Sequence, residues 1–257
     1  MKVLLIAICA LLCVGCSTDK PSLKVIATPT PHAEMLEQIK SDLKAQGVDL
    51  DIITVEDYQI PNRALADKDV DANFFQHALF LETQIAQFGY PLESAASIHI
   101  EPLGAYSKKI KKISELRDHA IIAIPNDPSN QARALLLLSK YDLIELKQDA
   151  PVNTLNIISN PKKLVLHEVD AAMLARSLED VDLAVIPTNF ALQAGLSPSK
   201  DAIIKDDSNP LYTNVLVVRI GDKDRADIQK LIKALKSEKM KKFMEEKYKG
   251  SIIMIEQ

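Results

Sequence analysis

The chain has 257 residues, 47% of them hydrophobic and 26% charged, with 7 glycines, 3 cysteines and no tryptophan. This is ordinary globular composition, enough for a buried core in one large or two modest domains, and no repeat, low-complexity tract or long linker interrupts it. The formal net charge of −4 leaves no basic footprint and argues against a nucleic-acid partner.

Met1-Lys2 supplies a short positive region, and Val3 to Gly15 is almost unbroken apolar sequence. That run falls short of the roughly 20 apolar residues needed to span a bilayer, and has the length of a signal-peptide core. It ends in Cys13-Val14-Gly15-Cys16, followed by the polar Ser17-Thr18-Asp19-Lys20. The spacing of Cys13 and Cys16 also fits a redox pair, but such a pair needs a scaffold that tunes a thiolate, whereas this one closes a targeting segment. The segment resembles a bacterial lipobox, with Cys13 where Leu is usual; Cys16 would then become the lipidated N-terminus. Acyl chains would tether a soluble domain through apolar transfer.

Leu23 to Ala27 reads as a buried strand, broken by Thr28-Pro29-Thr30-Pro31. A helix is expected next, with Thr30 as N-cap, an apolar stripe of Met35, Leu36, Ile39 and Leu43, and a stop at Gly47. Strands are expected at Asp49–Val55, Ile121–Ile124, Lys163–Leu166, Leu183–Ile186 and Val215–Val218. Helices are expected at Gln76–Phe88, from Asp127-Pro128 to about Tyr141, at Ala171–Leu178 and Thr188–Ala194, and twice between Asp224 and Tyr248. Alternating strands and helices indicate an α/β protein with largely parallel sheets, whose ligands bind where strands lead into helix N-termini. The loops to inspect are Thr28–His32, Asn73–His77, Pro125–Arg133 and Pro187–Asn189.

In the third of these loops Asp127 can cap a helix with Pro128 at its first position, leaving backbone N–H groups for an anion. Asn130 and Arg133, three residues apart, share a face, and Arg133 could grip a carboxylate bidentately. The same spacing fits an ordinary N-cap with a surface Arg paired to an acid. Asn73-Phe74-Phe75-Gln76-His77 sets two aromatics and an imidazole at a strand-to-helix junction. Such rings suit an apolar or thioether side chain, or simply a core. Tyr58 and Tyr106 fit half-buried structural tyrosines better than pocket walls. The five histidines (His32, His77, His99, His119, His167) show no metal-ligand spacing, so no metal site is expected. No nucleophile elbow, phosphate loop or dinucleotide fingerprint is present, so neither catalysis nor a cofactor is expected.

In this order the motifs carry a resemblance. Ala27–Glu34, Asn73–His77, Ile98-His99-Ile100-Glu101-Pro102-Leu103-Gly104, Tyr106–Ile110, Ile124–Asn130, Ala132–Leu138, Arg176–Asp180, Ala194-Gly195-Leu196 and Asn214–Arg219 together resemble the MetQ/NlpA family of methionine-binding lipoproteins. These are substrate-binding components of a methionine ABC importer. The resemblance implies an α/β, two-lobed periplasmic-binding-protein fold of type II-like build, with crossings near Leu103–Ser107 and Tyr212–Val217. The implied organisation is a signal peptide at 1–15, a lipidated tether at 16–22, one lobe from 23–104 and 214–257, and a second from 105–213.

By motif, Tyr58, Phe75, His77 and Tyr106 would wall a side-chain pocket and Arg133 would hold a carboxylate, with Asn126 or Asn130 nearby. Asn189 and Asn214 would bond the amino-acid head group. The implied partners are L-methionine or a related amino acid, a permease with its ATPase, and the envelope membrane through lipid on Cys16; a monomer is expected. Two departures stand out: Pro187 where the family usually has Asn, and Phe190 where it usually has Tyr. Another amino acid, a Met-containing peptide, or a surface adhesin or scaffold with a degenerate cleft remain the competing readings.

Overall fold

The computed structural model describes residues 22–255, so the expected signal peptide, the lipobox with Cys16 and nearly all of the tether lie outside the described residues. In chain order the elements are β1 (Leu23–Ala27), α1 (Glu34–Ala45), β2 (Leu50–Thr54), α2 (Ile60–Ala66), β3 (Ala72–His77), α3 (Ala78–Phe88) and β4 (Leu92–Ile100). Next come β5 (Gly104–Tyr106), β6 (Ile121–Pro125), α4 (Pro128–Lys140), the paired β7 (Glu145–Leu146) and β8 (Ile157–Ser159), and β9 (Val165–Val169). Then follow α5 (Leu174–Ser177), β10 (Leu183–Ile186), α6 (Thr188–Gln193), β11 (Ile204–Lys205), β12 (Thr213–Arg219), α7 (Ala226–Leu235), α8 (Glu238–Tyr248) and β13 (Ile253–Met254).

The strands form two main sheets, ordered β13-β4-β12-β3-β1-β2 and β11-β5-β10-β6-β9. Each has one parallel side, β3-β1-β2 in the first and β10-β6-β9 in the second. The remaining strands are antiparallel: β12 against β3 and β4, β13 against β4, and β5 against β10 and β11. The sheets are therefore mixed rather than largely parallel. The chain leaves the first sheet after β4, builds the second, and returns in β12, which runs against the strands it rejoins. The two crossings fall at residues 101–103 and 206–212, immediately before β5 and β12.

Local chemistry explains most boundaries. Met35, Leu36, Ile39 and Leu43 recur at helical spacing, and α1 buries all four against the first sheet. A wider helical turn over Pro29–Ala33 leads into that helix, in which Thr30 is extended (φ −123°, ψ 130°) as an N-cap residue is, its hydroxyl bonding the Glu34 carboxylate at 3.0 Å. Asp127 caps α4 as expected, accepting the Asn130 N–H, with Pro128 in the first turn. Helix α3 starts two residues after Gln76 because Gln76 and His77 still belong to β3, and Gly89 ends it in the left-handed region (φ 69°).

Strand β4 and helix α2 are not signalled by periodicity. The strand's Glu-Ser-Ala-Ala-Ser stretch carries little β-branched character and is held instead by β12 along nearly its whole length. At the start of the second sheet Gly104 is required sterically: a Cβ there would stand 2.7 Å from the Tyr106 hydroxyl and 2.9 Å from its ring.

Leu36 is fully buried under α1, whereas Leu155 is 91% exposed. Leu36→Ala is expected to cost about 2–5 kcal/mol in urea unfolding and Leu155→Ala less than about 0.5 kcal/mol. Equal effects would contradict this placement of the core.

Candidate functional site

The carboxyl ends of β3, β6 and β10 converge on a small cavity between the sheets, lined by Tyr58, Phe75, Gln76, His77, Phe80, Glu101, Asn130, Arg133, Pro187, Thr188, Asn189 and Asn214. Of the residues singled out from sequence, the structure brings seven together here: Tyr58, Phe75, His77, Asn130, Arg133, Asn189 and Asn214.

His77 closes β3 and caps α3, its Nδ1 accepting the Phe80 N–H at 3.0 Å. The proton of the neutral ring therefore sits on Nε2, which donates to Asn130 Oδ1 at 3.1 Å on the second-sheet side. Burial, reinforced by the nearby Arg133 charge, pushes His77 down to about 3. The Asn130 amide donates to both Asp127 carboxylate oxygens at 3.1 Å, and Asp127 also accepts the Asn130 backbone N–H and the Ser129 hydroxyl. The helix start expected to receive an outside anion thus already holds its own carboxylate.

Arg133 is buried rather than a surface residue. Its Nε donates to Asp206 at 2.6 Å, its Nη2 donates to the Glu101 carbonyl at 2.7 Å, and its guanidinium lies 4.1 Å above the Tyr212 ring. The Nε–Nη2 edge is committed to protein acceptors and is not open for a bidentate grip. Tyr58 donates its hydroxyl to Asn189 Oδ1 at 2.6 Å and packs against Phe75, Phe80 and Phe190 with ring centroids 5.0–5.8 Å apart. Asn189 Nδ2 is buried and has no hydrogen-bond partner among the described residues.

Two expected residues lie elsewhere. Tyr106 is buried in the second-sheet core with Leu174, Leu178 and Ile186, because its ring folds back over Gly104. Asn126 is exposed beside α4 and is held by its backbone N–H to Val169. In turn Glu101, Phe80, Gln76 and Thr188 line the cavity without having been singled out for it. The signal for Glu101 was a lone acid between His99 and the apolar Pro102-Leu103, directly at a crossing.

Glu101 is 5% exposed. His99 Nε2 lies 2.8 Å from its Oε1 and His32 Nε2 3.4 Å from the same atom. Burial alone would raise its pKa, but His32, His99 and Arg133 outweigh that and hold the carboxyl below its ordinary value. Burial pushes His32 down to about 4, against the pull of Glu101. Sequence spacing left the histidines scattered, yet the fold gathers donor atoms of His32, His99 and Glu101 within 4.8 Å of one another.

The family profile described as NlpA lipoprotein matches residues 23–255. The chain belongs to the NlpA lipoprotein family. Among the family's members it is 37% identical to the D-methionine-binding lipoprotein MetQ of Escherichia coli K12, over 93% of this chain and 92% of that one. It is 39% identical to outer membrane lipoprotein 3 of Mannheimia haemolytica, over 96% and 95% of the two chains. A nutrient-binding protein from Burkholderia cenocepacia, solved bound to methionine, is 43% identical with a TM-score of 0.87, covering 90% of this chain and 99% of that one. A solved periplasmic substrate-binding protein of an ABC transporter from Coxiella burnetii superimposes with the same TM-score. The fold is thus that of the periplasmic binding proteins, as the motifs implied.

The buried His32 and His77 are both neutral in the folded state, held down to about 4 and about 3 against an ordinary value of 6.5. The unfolded chain accordingly binds more protons between about pH 6.5 and pH 4, so their contribution to stability is complete above that window and is lost as pH falls through it. Glu101, held low, adds a loss of the same sign at more acid pH. Urea unfolding is expected to give a free energy that drops steadily from pH 7 to pH 4.5; a flat profile would show that these rings are not buried neutral.

Proposed function

We propose that this lipoprotein captures a free amino acid, methionine first among candidates, and presents it to an ABC permease driven by its ATPase. The observation that carries the reading is one cavity walled by both charges of a zwitterion's complement and by aromatic rings. Arg133 and the buried Glu101 supply a cation for an α-carboxylate and an anion for an α-ammonium, and Phe75, Phe80 and Tyr58 supply an aromatic wall for a side chain. The unpartnered Asn189 Nδ2 is a donor that a ligand acceptor satisfies.

The two halves, residues 23–104 with 214–257 and residues 105–213, act as lobes of a hinge. In the closed arrangement Tyr58–Asn189, His77–Asn130 and Gln193–Glu56 span them at 2.6, 3.1 and 2.7 Å. Ligand binding adds contacts to both lobes and draws the equilibrium toward this closed form, which the permease recognises. No bond in the ligand is broken. The lipobox-like Cys13-Val14-Gly15-Cys16 supports attachment through lipid on Cys16, on the outer side of a cell membrane.

A thermal-shift screen of refolded protein against both enantiomers of the amino acids and a few Met dipeptides tests the ligand. A ligand at a hundred times its Kd stabilises the fold by about 2.7 kcal/mol. A shift with methionine supports the reading, a shift with another amino acid moves the substrate, and no shift with any of them ends it. By calorimetry Arg133→Ala is expected to weaken methionine binding by about 2–5 kcal/mol, since it strands Asp206 as well as the ligand carboxylate. Phe75→Ala is expected to hurt methionine more than alanine or serine, and equal losses would refute an aromatic side-chain pocket.

A further inference from the structure

His32 lies in the first motif of the chain and is fully buried, yet it does not line the cavity. It stands behind Asn214, which does. Its Nδ1 is 2.7 Å from the Thr28 hydroxyl; its Nε2 is 3.2 Å from Asn214 Oδ1 and 3.4 Å from Glu101 Oε1. A ring nitrogen faced by a carboxylate oxygen must carry a proton, because a bare lone pair there would oppose the oxygen's own. The proton of the neutral ring therefore sits on Nε2, and Nδ1 accepts from Thr28. His99 obeys the same rule: its Nε2 donates to Glu101 at 2.8 Å, and its bare Nδ1 is the atom left without a partner.

The consequence falls on Asn214. A side-chain amide can be turned end for end at almost no steric cost, which exchanges an acceptor for a donor pair. An N–H donor behind it fixes the oxygen on that side and sends the NH₂ to the other. We propose that His32 is a positioning residue for ligand capture: locked in one tautomer by Thr28 and Glu101, it holds Asn214 with its NH₂ toward the cleft, where that group meets the ligand's carboxylate. Without His32 the amide carbonyl can turn to the carboxylate and repel it. The proposal rests on the reading of the cleft as an amino-acid site and adds what sets the polarity of one head-group contact.

The test is a double-mutant cycle on the full-length lipoprotein in detergent, read by calorimetry with methionine. His32→Leu is expected to weaken binding about ten- to hundredfold, the worth of one buried hydrogen bond that orients a charged contact. His32→Gln, which restores an N–H near the position of Nε2, is expected to recover most of that loss. In an Asn214→Ala background His32→Leu is expected to add less than about twofold. Wild-type affinity in His32→Leu, equal losses in the Leu and Gln variants, or losses that simply add with Asn214→Ala would each overturn the proposal. Should His32→Leu not fold, long-range ¹H–¹⁵N spectra of the wild-type imidazole decide: an Nε2–H, Nδ1-bare ring is expected, and an Nδ1–H ring or an imidazolium at neutral pH overturns it. Stabilisation by zinc, reversed by a chelator, would identify His32, His99 and Glu101 as metal ligands and overturn it too. Failure of the amino-acid reading is separately visible, as absence of binding heat in the wild type.

Discussion

A carboxylate taken out of water costs several kcal/mol unless charges and donors around it replace the solvent. Glu101 is such a group, set where the chain passes from the first sheet to the second, and much of the cleft is organised around it. His99 and His32 approach the same carboxylate oxygen, and Arg133 bonds the Glu101 backbone carbonyl. These partners come from both halves of the molecule and from elements far apart in sequence. Satisfying one buried charge therefore fixes the crossing, orients two imidazoles and anchors the cleft's cation.

The polar groups of the cleft are otherwise paired among themselves to an unusual degree. Asn130 spends its amide NH₂ on Asp127 and its oxygen on His77, and Asn62, Asn73 and Gln76 close a buried amide network below the cavity. Residues that motif matching casts as ligand contacts serve in part to bring the two sheets together. Their bonds join the two sheets across the cavity at 2.6 and 3.1 Å. A preorganised cleft of this kind spends less of its binding energy on ordering side chains when the ligand arrives.

The two positions that the motif resemblance marked as departures lie together at the start of α6. Pro187 precedes α6 and lines the cavity, and Phe190, one turn on, packs against Tyr58 at 5.0 Å between centroids. Without a backbone N–H or an amide, Pro187 offers shape but no donor. The neighbouring Thr188 and Asn189, the latter with an Nδ2 unpartnered among the described residues, supply the polar groups of that cavity wall.

The amino-acid sequence by itself determined the α/β class, most helices and buried strands, and the α4 start, because apolar period, Asp127 capping and Pro128 are local properties. It also marked seven of the cavity's residues through motif order. Only the tertiary structure decided the rest. Strand β4 exists by pairing with β12, and the antiparallel strands follow from the chain's return. Tyr106 went to the core and Tyr58 to the cleft. The His32–Glu101–His99 cluster could not be read from spacing, since residues 32 and 99 are joined by sheet pairing rather than by a turn. Patterns of a few residues encode local geometry, whereas which buried groups neutralise one another is set by where distant strands are brought side by side.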